Sequence, residues 1–169
     1  MATADTVTLG LPHPPKADSI KAFQEIEIDL KKTLQHLRHE TDSKFLTSCN
    51  HNLDLCSLEH EPEYFTAVKD LSNEQLTNFS SDDLKEVRVA QSAYGLHLLG
   101  KVLLPDSGRS HASPEKGLDC YFMFRAFIPG EAETAKLHCI HMEEIDKSDG
   151  DKVFRAIFFQ NDPLEWFDT

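Results

Sequence analysis

Three residues whose side chains can donate or accept protons could lie close together in the folded chain. Tyr94 and His97 are three residues apart, and Asp119 lies at the start of a β-rich run. Side chains at this spacing share one face of a helix, and we predict a helix over residues 82–99. A phenol, an imidazole and a carboxylate around one cavity can act as general acids and bases. These residues predict one candidate function, a small-molecule isomerase, cyclase or dehydratase with its cavity between helix and sheet.

The thiols of Cys120 and Cys139 could form a second reactive cluster with His141. A neighbouring imidazole raises the thiolate fraction, on which nucleophilic catalysis by cysteine depends. The favoured alternative is that both cysteines are small core residues, because unpaired Cys is among the most buried residue types. The remaining cysteines, Cys49 and Cys56, lack the spacing of a zinc knuckle, and we expect all four thiols to be reduced.

Nine histidines raise the question of a metal site. His36 and His39 have a spacing that can present two imidazoles to zinc from a helix. The intervening residues lack the Glu of the metalloprotease motif, and the adjacent Arg38 disfavours a cation. His138 and His141 would lie on opposite faces of a strand. We therefore predict no metal and no cofactor, and the sequence contains no phosphate-binding glycine motif.

The favoured function is a non-catalytic interaction or scaffold protein, because one face of the predicted sheet is more apolar than a solvated face. Aromatic and Met side chains are typical of the centres of interfaces. The C-terminal tail, residues 162–169, is predicted to take part in binding as well. The candidate binding residues are Tyr121, Met123, Phe127, Ile140, Ile157 and Phe159 on the sheet face and Trp166 in the tail. We expect this face to be covered by the N-terminal half of the chain, by an unidentified protein partner or by a second copy.

The elements that must position these residues form an α+β fold with a helical N-terminal extension. Residues 1–16 are predicted to be a flexible tail, and residues 17–169 a single domain. Within it, residues 17–80 form a helical part and residues 81–161 a helix with an antiparallel sheet. Apolar residues at mostly helical spacing predict a helix from Ile20 to His39, although the alternation around residues 25–30 also fits a strand. Ser72 followed by Gln75 indicates the start of a short helix.

The sheet is predicted from three β-rich runs at residues 118–128, 134–145 and 153–160, which turn-forming segments separate. They predict a three-strand antiparallel meander. Its register would place Cys120 opposite His141 and Cys139 opposite Phe158, because this gathers the core side chains on one face. The predicted helix over residues 82–99, capped by Ser80 or Ser81, would cover that face.

The net charge is −12 at pH 7. This charge disfavours binding to nucleic acids and to anionic membranes, both of which depend on attraction by basic side chains. No apolar stretch approaches the length of a membrane span, and the N-terminus lacks the pattern of a signal peptide. We therefore expect a cytoplasmic or nuclear protein with neither nucleic-acid binding nor membrane insertion.

The segment Ala90-Gln-Ser-Ala-Tyr-Gly-Leu-His97, followed by Cys120-Tyr-Phe and by Lys136-Leu-His-Cys139, resembles plant proteins of the cystatin-like superfamily. The resemblance covers about residues 87–145. It implies a helix packed on a curved antiparallel meander, either cystatin-like or of the related nuclear-transport-factor-2-like shape. Protease inhibitors of the superfamily use a Gln-x-Val-x-Gly hairpin, which is absent here, and a Pro-Trp hairpin, whose residues Pro163 and Trp166 are separated in this chain.

Overall fold

The computed structural model describes residues 7–48, 64–109, 118–130, 133–146 and 152–167. Within these ranges the helices are α1 (Ala17–Ser48) and the short α2 (Asn73–Leu76), with 3-10 turns at Thr66–Val68, Ser81–Asp83 and Ser107–Arg109. The strands are β1 (Thr8–Leu9), β2 (Leu84–Ser92), β3 (Gly95–Leu104), β4 (Cys120–Ile128), β5 (Lys136–Ile140), β6 (Glu143–Asp146) and β7 (Lys152–Arg155). The predicted α+β class is confirmed, with one long helix packed on a five-strand antiparallel sheet.

Helix α1 contains the segment predicted as helical and supplies one layer of the core. The residues that it buries follow helical spacing: Ala22, Phe23, Ile26, Leu30 and Leu34. The alternation around residues 25–30 therefore belongs to a helix. The ring of Phe23 packs against Phe79 at 6.3 Å and Phe124 at 5.8 Å between centroids, which fixes α1 on the inner face of the sheet.

The helix predicted over residues 82–99 is wrong, because this segment forms the β2–β3 hairpin. The cap that suggested it is present: Ser80 accepts a hydrogen bond from the backbone N–H of Asp82, but the helical turn ends after Asp83. Val87 and Val89 are β-branched and favour the strand that follows. Val87 pairs with Gly100, whose missing side chain leaves room for the ring of Phe124. Tertiary packing therefore outweighs the local helix signal.

The five-strand sheet has its strands in chain order, β1-β2-β3-β4-β5, and every pair is antiparallel. The first strand comes from the segment predicted as a flexible tail. Thr8 pairs with Gln91, and His13 forms a bridge with Val87 through two backbone hydrogen bonds. Residues 8–13 thus line the outer edge of β2, which differs from the predicted tail. The segment contains three prolines after Leu11. Proline disfavours the pairing of a further strand with this edge of the sheet.

The predicted three-strand meander is correct in the antiparallel pairing of its successive runs but not in forming one sheet. β4 pairs with β5, but β6 and β7 form a separate two-strand sheet. The predicted pairing of Cys120 with His141 is also wrong, since Phe124 pairs with Ile140. The register shifts at a β-bulge between Arg125 and Ala126. An extra residue in one strand moves the following side chains to the other face, an effect that periodicity alone does not reveal.

Two apolar clusters occupy the two faces of the sheet. The inner cluster lies between α1 and the sheet and includes Phe122 and Phe124. The outer cluster joins Leu99 and Met123 to residues near the C-terminus, among them Phe167. The outer face is therefore covered by the C-terminal part of the chain, whereas we expected the N-terminal half or a partner. None of the described helices is long and apolar enough to span a membrane.

Candidate functional site

The three residues predicted to be catalytic do not meet. Tyr94 lies in the β2–β3 turn and is 74% exposed, whereas His97 is 3% exposed on the outer face of the sheet. Asp119 is exposed beside the start of β4, eight residues before Phe127, the partner of His97. Eight residues of strand span roughly 26 Å. The inner face, where the catalytic cavity was expected, is instead packed with aromatic rings: Phe23, Phe79, Phe122 and Phe124.

The seven residues predicted to bind a partner divide into two groups. Tyr121, Met123, Ile140 and Ile157 are buried, the two isoleucines in the inner cluster. Phe127, Phe159 and Trp166 are half-buried. The bulge in the β4–β5 pairing and the irregular path after β7 place Ile140 and Ile157 on the inner side of the sheet. The predicted set therefore does not form one continuous surface.

Residues 159–167, which we call the C-terminal segment, lie across the outer face and are held there by cationic side chains. Lys101 donates to the backbone oxygens of Gln160 at 2.8 Å and Asp162 at 2.6 Å. Arg88 donates to that of Leu164 at 2.9 Å, and Arg125 to that of Phe167 at 2.7 Å. Hydrogen bonds from charged donors are stronger than neutral ones.

Three strands thus each contribute one cation that binds main-chain oxygen at successive points of the segment. Sequence reasoning missed this role. The available signal was the position of Lys101 and Arg125 inside otherwise apolar strands, because Lys and Arg are rarely fully buried without a partner.

A cluster of imidazole and aromatic rings lies where the C-terminal segment meets the end of the sheet. The ring of His97 is 5.1 Å from Phe127, 5.9 Å from His138 and 5.3 Å from Trp166, between centroids. The guanidinium of Arg125 lies over the Trp166 ring at 4.5 Å. Burial lowers the pKa of His97, and the positive charges of Arg125 and His138 lower it further. Burial and Arg125 likewise lower the pKa of His138.

A cavity of about 210 Å³ opens beside this cluster, between the C-terminal segment and the sheet. Its lining includes His141, whose ring stacks on Phe158 at 5.0 Å and on Phe167 at 4.2 Å. Arg155 also lines the cavity, where its guanidinium forms salt bridges with Glu143 at 2.6 Å and with Asp162 at 3.1 Å. Burial lowers the pKa of His141; Glu143 opposes that shift and Arg155 adds to it.

Cys139 and Cys120, which we considered as partners of His141, lie on opposite faces of the sheet. Cys120 is in the inner cluster, and Cys139 packs against the outer one. Cys120 therefore cannot join Cys139 in one cluster with His141. His36 lies within 3.5 Å of Glu40 at an exposed position of α1. Among the described residues there is no group of three or more His, Cys, Asp or Glu side chains that could hold a metal ion.

Three segments at one end of the sheet carry no ionised side chain, although Lys136, which pairs with Phe127, lies at the same end on β5. The three segments meet there, because Thr8 pairs with Gln91 and Leu96 pairs with Ile128. We call the segments Val7–Leu9, Gln91–Leu96 and Ile128–Gly130 the uncharged end. They contain no Asp, Glu, Lys or Arg, although these types make up 27% of the chain. The half-buried rings of Phe127 and Trp166 border this end.

The turn at the tip of the uncharged end is braced by hydrogen bonds through one hydroxyl. Ser92 Oγ donates to the backbone oxygen of Gly95 at 3.0 Å and accepts from the backbone N–H of Tyr94 at 3.3 Å. The same oxygen lies 3.2 Å from Nε2 of His97. Gly95 has φ +149°, and a Cβ there would lie 2.6 Å from the backbone oxygen of Ile128. The turn is thus closely fitted against β4 and holds Tyr94 outward.

Comparison with known proteins yields no relative: no protein-family model, curated protein or solved structure matches the chain.

Proposed function

We propose that this chain is a non-catalytic protein-interaction module that binds a protein partner through its uncharged end, with Tyr94 as the principal contact. The observation that carries the proposal is the 74% exposure of the Tyr94 side chain on a braced turn. Tyrosine is enriched among the residues that dominate binding energy at interfaces. The absence of ionised side chains from the surrounding segments supports the same proposal, since interface centres are depleted in charge.

The braced turn also lowers the cost of binding. A side chain presented from a mobile loop loses conformational entropy when it binds, and rigidity before binding reduces that loss. Here Ser92 ties the turn to Gly95 and to His97, and Gly95 lies against β4. The tip is therefore prepared to contact a partner without rearrangement.

Composition and topology support our proposals on the type of partner, the location and the fold family. A net charge of −12 favours a protein partner over a nucleic acid, and we propose a cytoplasmic or nuclear location. We retain the cystatin-like resemblance as a proposal, which one long helix on an antiparallel sheet in chain order supports. The segment that suggested it, residues 90–97, is a β-hairpin here, so the resemblance would apply to the sheet.

Cysteine-protease inhibition is a second candidate, favoured by one observation. The exposed β2–β3 turn reads Gln91-Ser-Ala-Tyr-Gly95, which has the Gln and Gly of the inhibitory hairpin but Ala in place of Val. Against it, Trp166 packs beside His97 on the outer face of the sheet and is not part of a second hairpin. Residual activity of a papain-type protease with the chain in excess tests this candidate; full activity would exclude it for that enzyme.

The proposed function is tested by binding with matched variants. The tagged chain is used to isolate a stoichiometric partner, and the dissociation constant is then measured with both components purified. Tyr94→Ala is expected to weaken binding at least about tenfold, as truncation of a principal interface residue does. Ile28→Ala is the control, because Ile28 is a large apolar residue, 67% exposed, on α1. Equal affinity for the two variants, or the lack of any stoichiometric partner, would contradict the proposal.

A further inference from the structure

We infer that residues 163–167 form an acid-released latch: protonation of His97 displaces Trp166, and residues 163–167 then leave the outer face of the sheet. The latch borders the uncharged end and shares the contact between Ser92 and His97 with it. Its test measures Trp166 fluorescence and not partner binding, so its failure is distinguishable from failure of the proposed function.

The hydrogen bonds around Ser92 determine where His97 accepts its second proton. The single hydroxyl hydrogen of Ser92 is directed to the backbone oxygen of Gly95, so the Ser92 oxygen is an acceptor toward His97. Neutral His97 therefore carries its hydrogen on Nε2. Acid must protonate Nδ1, which is buried and has no hydrogen-bond partner among the described residues. The protonated Nδ1 would be a buried donor without an acceptor, which is energetically costly. A water molecule that reaches Nδ1 would supply the acceptor.

The charges that face His97 from each neighbouring element also oppose its protonation. Arg125 on β4 and His138 on β5 both lower the pKa of His97. From β2, the neutral Ser92 hydroxyl is the polar contact, and from the C-terminal segment the contact is the Trp166 ring. Within the described ranges, the charges that shift the pKa of this imidazole are Arg125 and His138, both of which lower it. An imidazolium at position 97 is therefore stabilised only after water reaches it.

Trp166 is the neighbour that can move to admit that water. Phe127 and His138 also contact His97, but both lie in or beside the paired strands β4 and β5. Trp166 lies in a segment without strand pairing, where two backbone oxygens are held, one by Arg88 and one by Arg125. Its movement would uncover the apolar outer cluster, including Met123 and Leu99.

The start of the C-terminal segment is anchored separately and is expected to stay in place. Asp162 accepts from the guanidinium of Arg155 at 3.1 Å and from the backbone N–H of Phe159 at 2.7 Å. Lys101 holds the backbone oxygens of Gln160 and Asp162. The hinge of the latch is therefore Pro163.

His141 also lies under the latch, stacked on Phe167, but its surroundings differ from those of His97. It faces Glu143 on β6 and Arg155 on β7, and the cavity beside it is also lined by Asp162 and Glu165. Burial lowers the pKa of His141 as well, and its Nδ1 is also buried without a hydrogen-bond partner among the described residues. Glu143 opposes the shift at His141, whereas the charges that shift the pKa of His97, Arg125 and His138, both add to the effect of burial. His97 is therefore assigned as the trigger.

Trp166 is the only tryptophan of the chain, so its fluorescence reports on the latch directly. We expect its emission to shift to longer wavelength as the pH is lowered from 8 to 5, with a midpoint below about 6.5, the ordinary pKa of His. Far-UV circular dichroism is expected to stay constant over the same range. Constant emission, or loss of circular dichroism in step with the emission change, would overturn the inference.

Three variants assign the transition to His97. His97→Asn is expected to abolish it, whereas His36→Asn, at an exposed position on α1, leaves it unchanged. His138→Asn removes a charge that opposes protonation of His97, so the midpoint is expected to rise toward 6.5. Because His138 is exposed, this variant remains informative if His97→Asn does not fold. A transition that persists in His97→Asn, or a midpoint that does not rise in His138→Asn, would contradict the latch.

Discussion

Gly100→Ala tests the pairing on which both faces of the sheet depend. A Cβ at position 100 would lie 2.3 Å from Cε1 and 2.5 Å from Cζ of Phe124, and 3.0 Å from Cδ1 of Leu84. Carbon atoms in contact are normally about 3.5–4.0 Å apart, so the ring must shift by more than about 1 Å. Phe124 is fully buried and packs against Phe23 at 5.8 Å, which blocks that shift.

The expected cost combines two opposing effects. Overpacking a core costs about 1–3 kcal/mol, and replacing glycine by alanine recovers about 0.4–1 kcal/mol from the unfolded chain. The net loss of unfolding free energy is therefore about 1.3 kcal/mol. With an m-value of about 2 kcal/mol per molar urea, the midpoint of urea denaturation falls by roughly 0.6 M.

The matched control for Gly100→Ala is Gly108→Ala, where a new Cβ would meet no atom within 4 Å. We expect that variant to be unchanged or slightly stabilised. Equal denaturation midpoints for the two variants would refute the β3–β4 register, because the overlap with Phe124 follows from that register.

Three further perturbations test the turn, the anchoring cations and the buried imidazole. Gly95→Ala places a Cβ on a backbone with φ +149° and against the backbone oxygen of Ile128. We therefore expect the free energy of unfolding to fall by about 1–3 kcal/mol. An unchanged melting temperature in thermal denaturation would contradict this. Lys101→Met deprives two backbone oxygens of their donor and is expected to cost about 1–3 kcal/mol, against about 0.5 kcal/mol or less for the exposed control Lys85→Met. Because the pKa of His97 is lowered in the folded chain, the unfolded chain takes up the proton first, so the contribution of His97 to stability is constant above about pH 7 and is lost as the pH falls below about 6.5. The urea midpoint should be lower at pH 5.5 than at 7.5, with a smaller difference in His97→Asn; a difference of equal size in that variant would argue against this assignment.

The parts of the fold that local patterns determine could be predicted from the sequence. The apolar spacing of α1 gave the long helix, and the capping pair Ser72 and Gln75 begins α2 with both reciprocal hydrogen bonds present. The β-rich runs at β4 and β5 were also found. In each case neighbouring residues carry the information.

The predictions of structure are wrong where contacts between residues distant in the sequence determine the local structure. The segment over residues 82–99 carries a real cap at Ser80, but pairing of β2 with β3 overrides the helix that a cap usually begins. The bulge beside Arg125 reverses the faces assigned to Cys139 and Ile140, and no pattern in the sequence marks it. The cystatin-like resemblance stays a prediction.

The candidate site was only partly accessible to sequence reasoning. Tyr94, His97 and Trp166 were all identified, but as members of a catalytic set or of a sheet face. Their actual relation depends on the hydroxyl of Ser92 and on the path of the C-terminal segment. Both are tertiary features, and the strand and helix periodicities of the sequence do not reveal them. The prediction that Cys49 and Cys56 are reduced thiols concerns residues outside those that the structure describes.

The most direct test of the proposed interaction is site-specific photocrosslinking in cells that express the chain. A photoreactive phenylalanine analogue is placed at position 94 in one sample and at position 28 in another, since both positions are exposed. We predict that one protein species is crosslinked in high yield from position 94 and is not crosslinked from position 28. The same species in similar yield from both positions, or no crosslinked species from position 94, would contradict binding through the uncharged end.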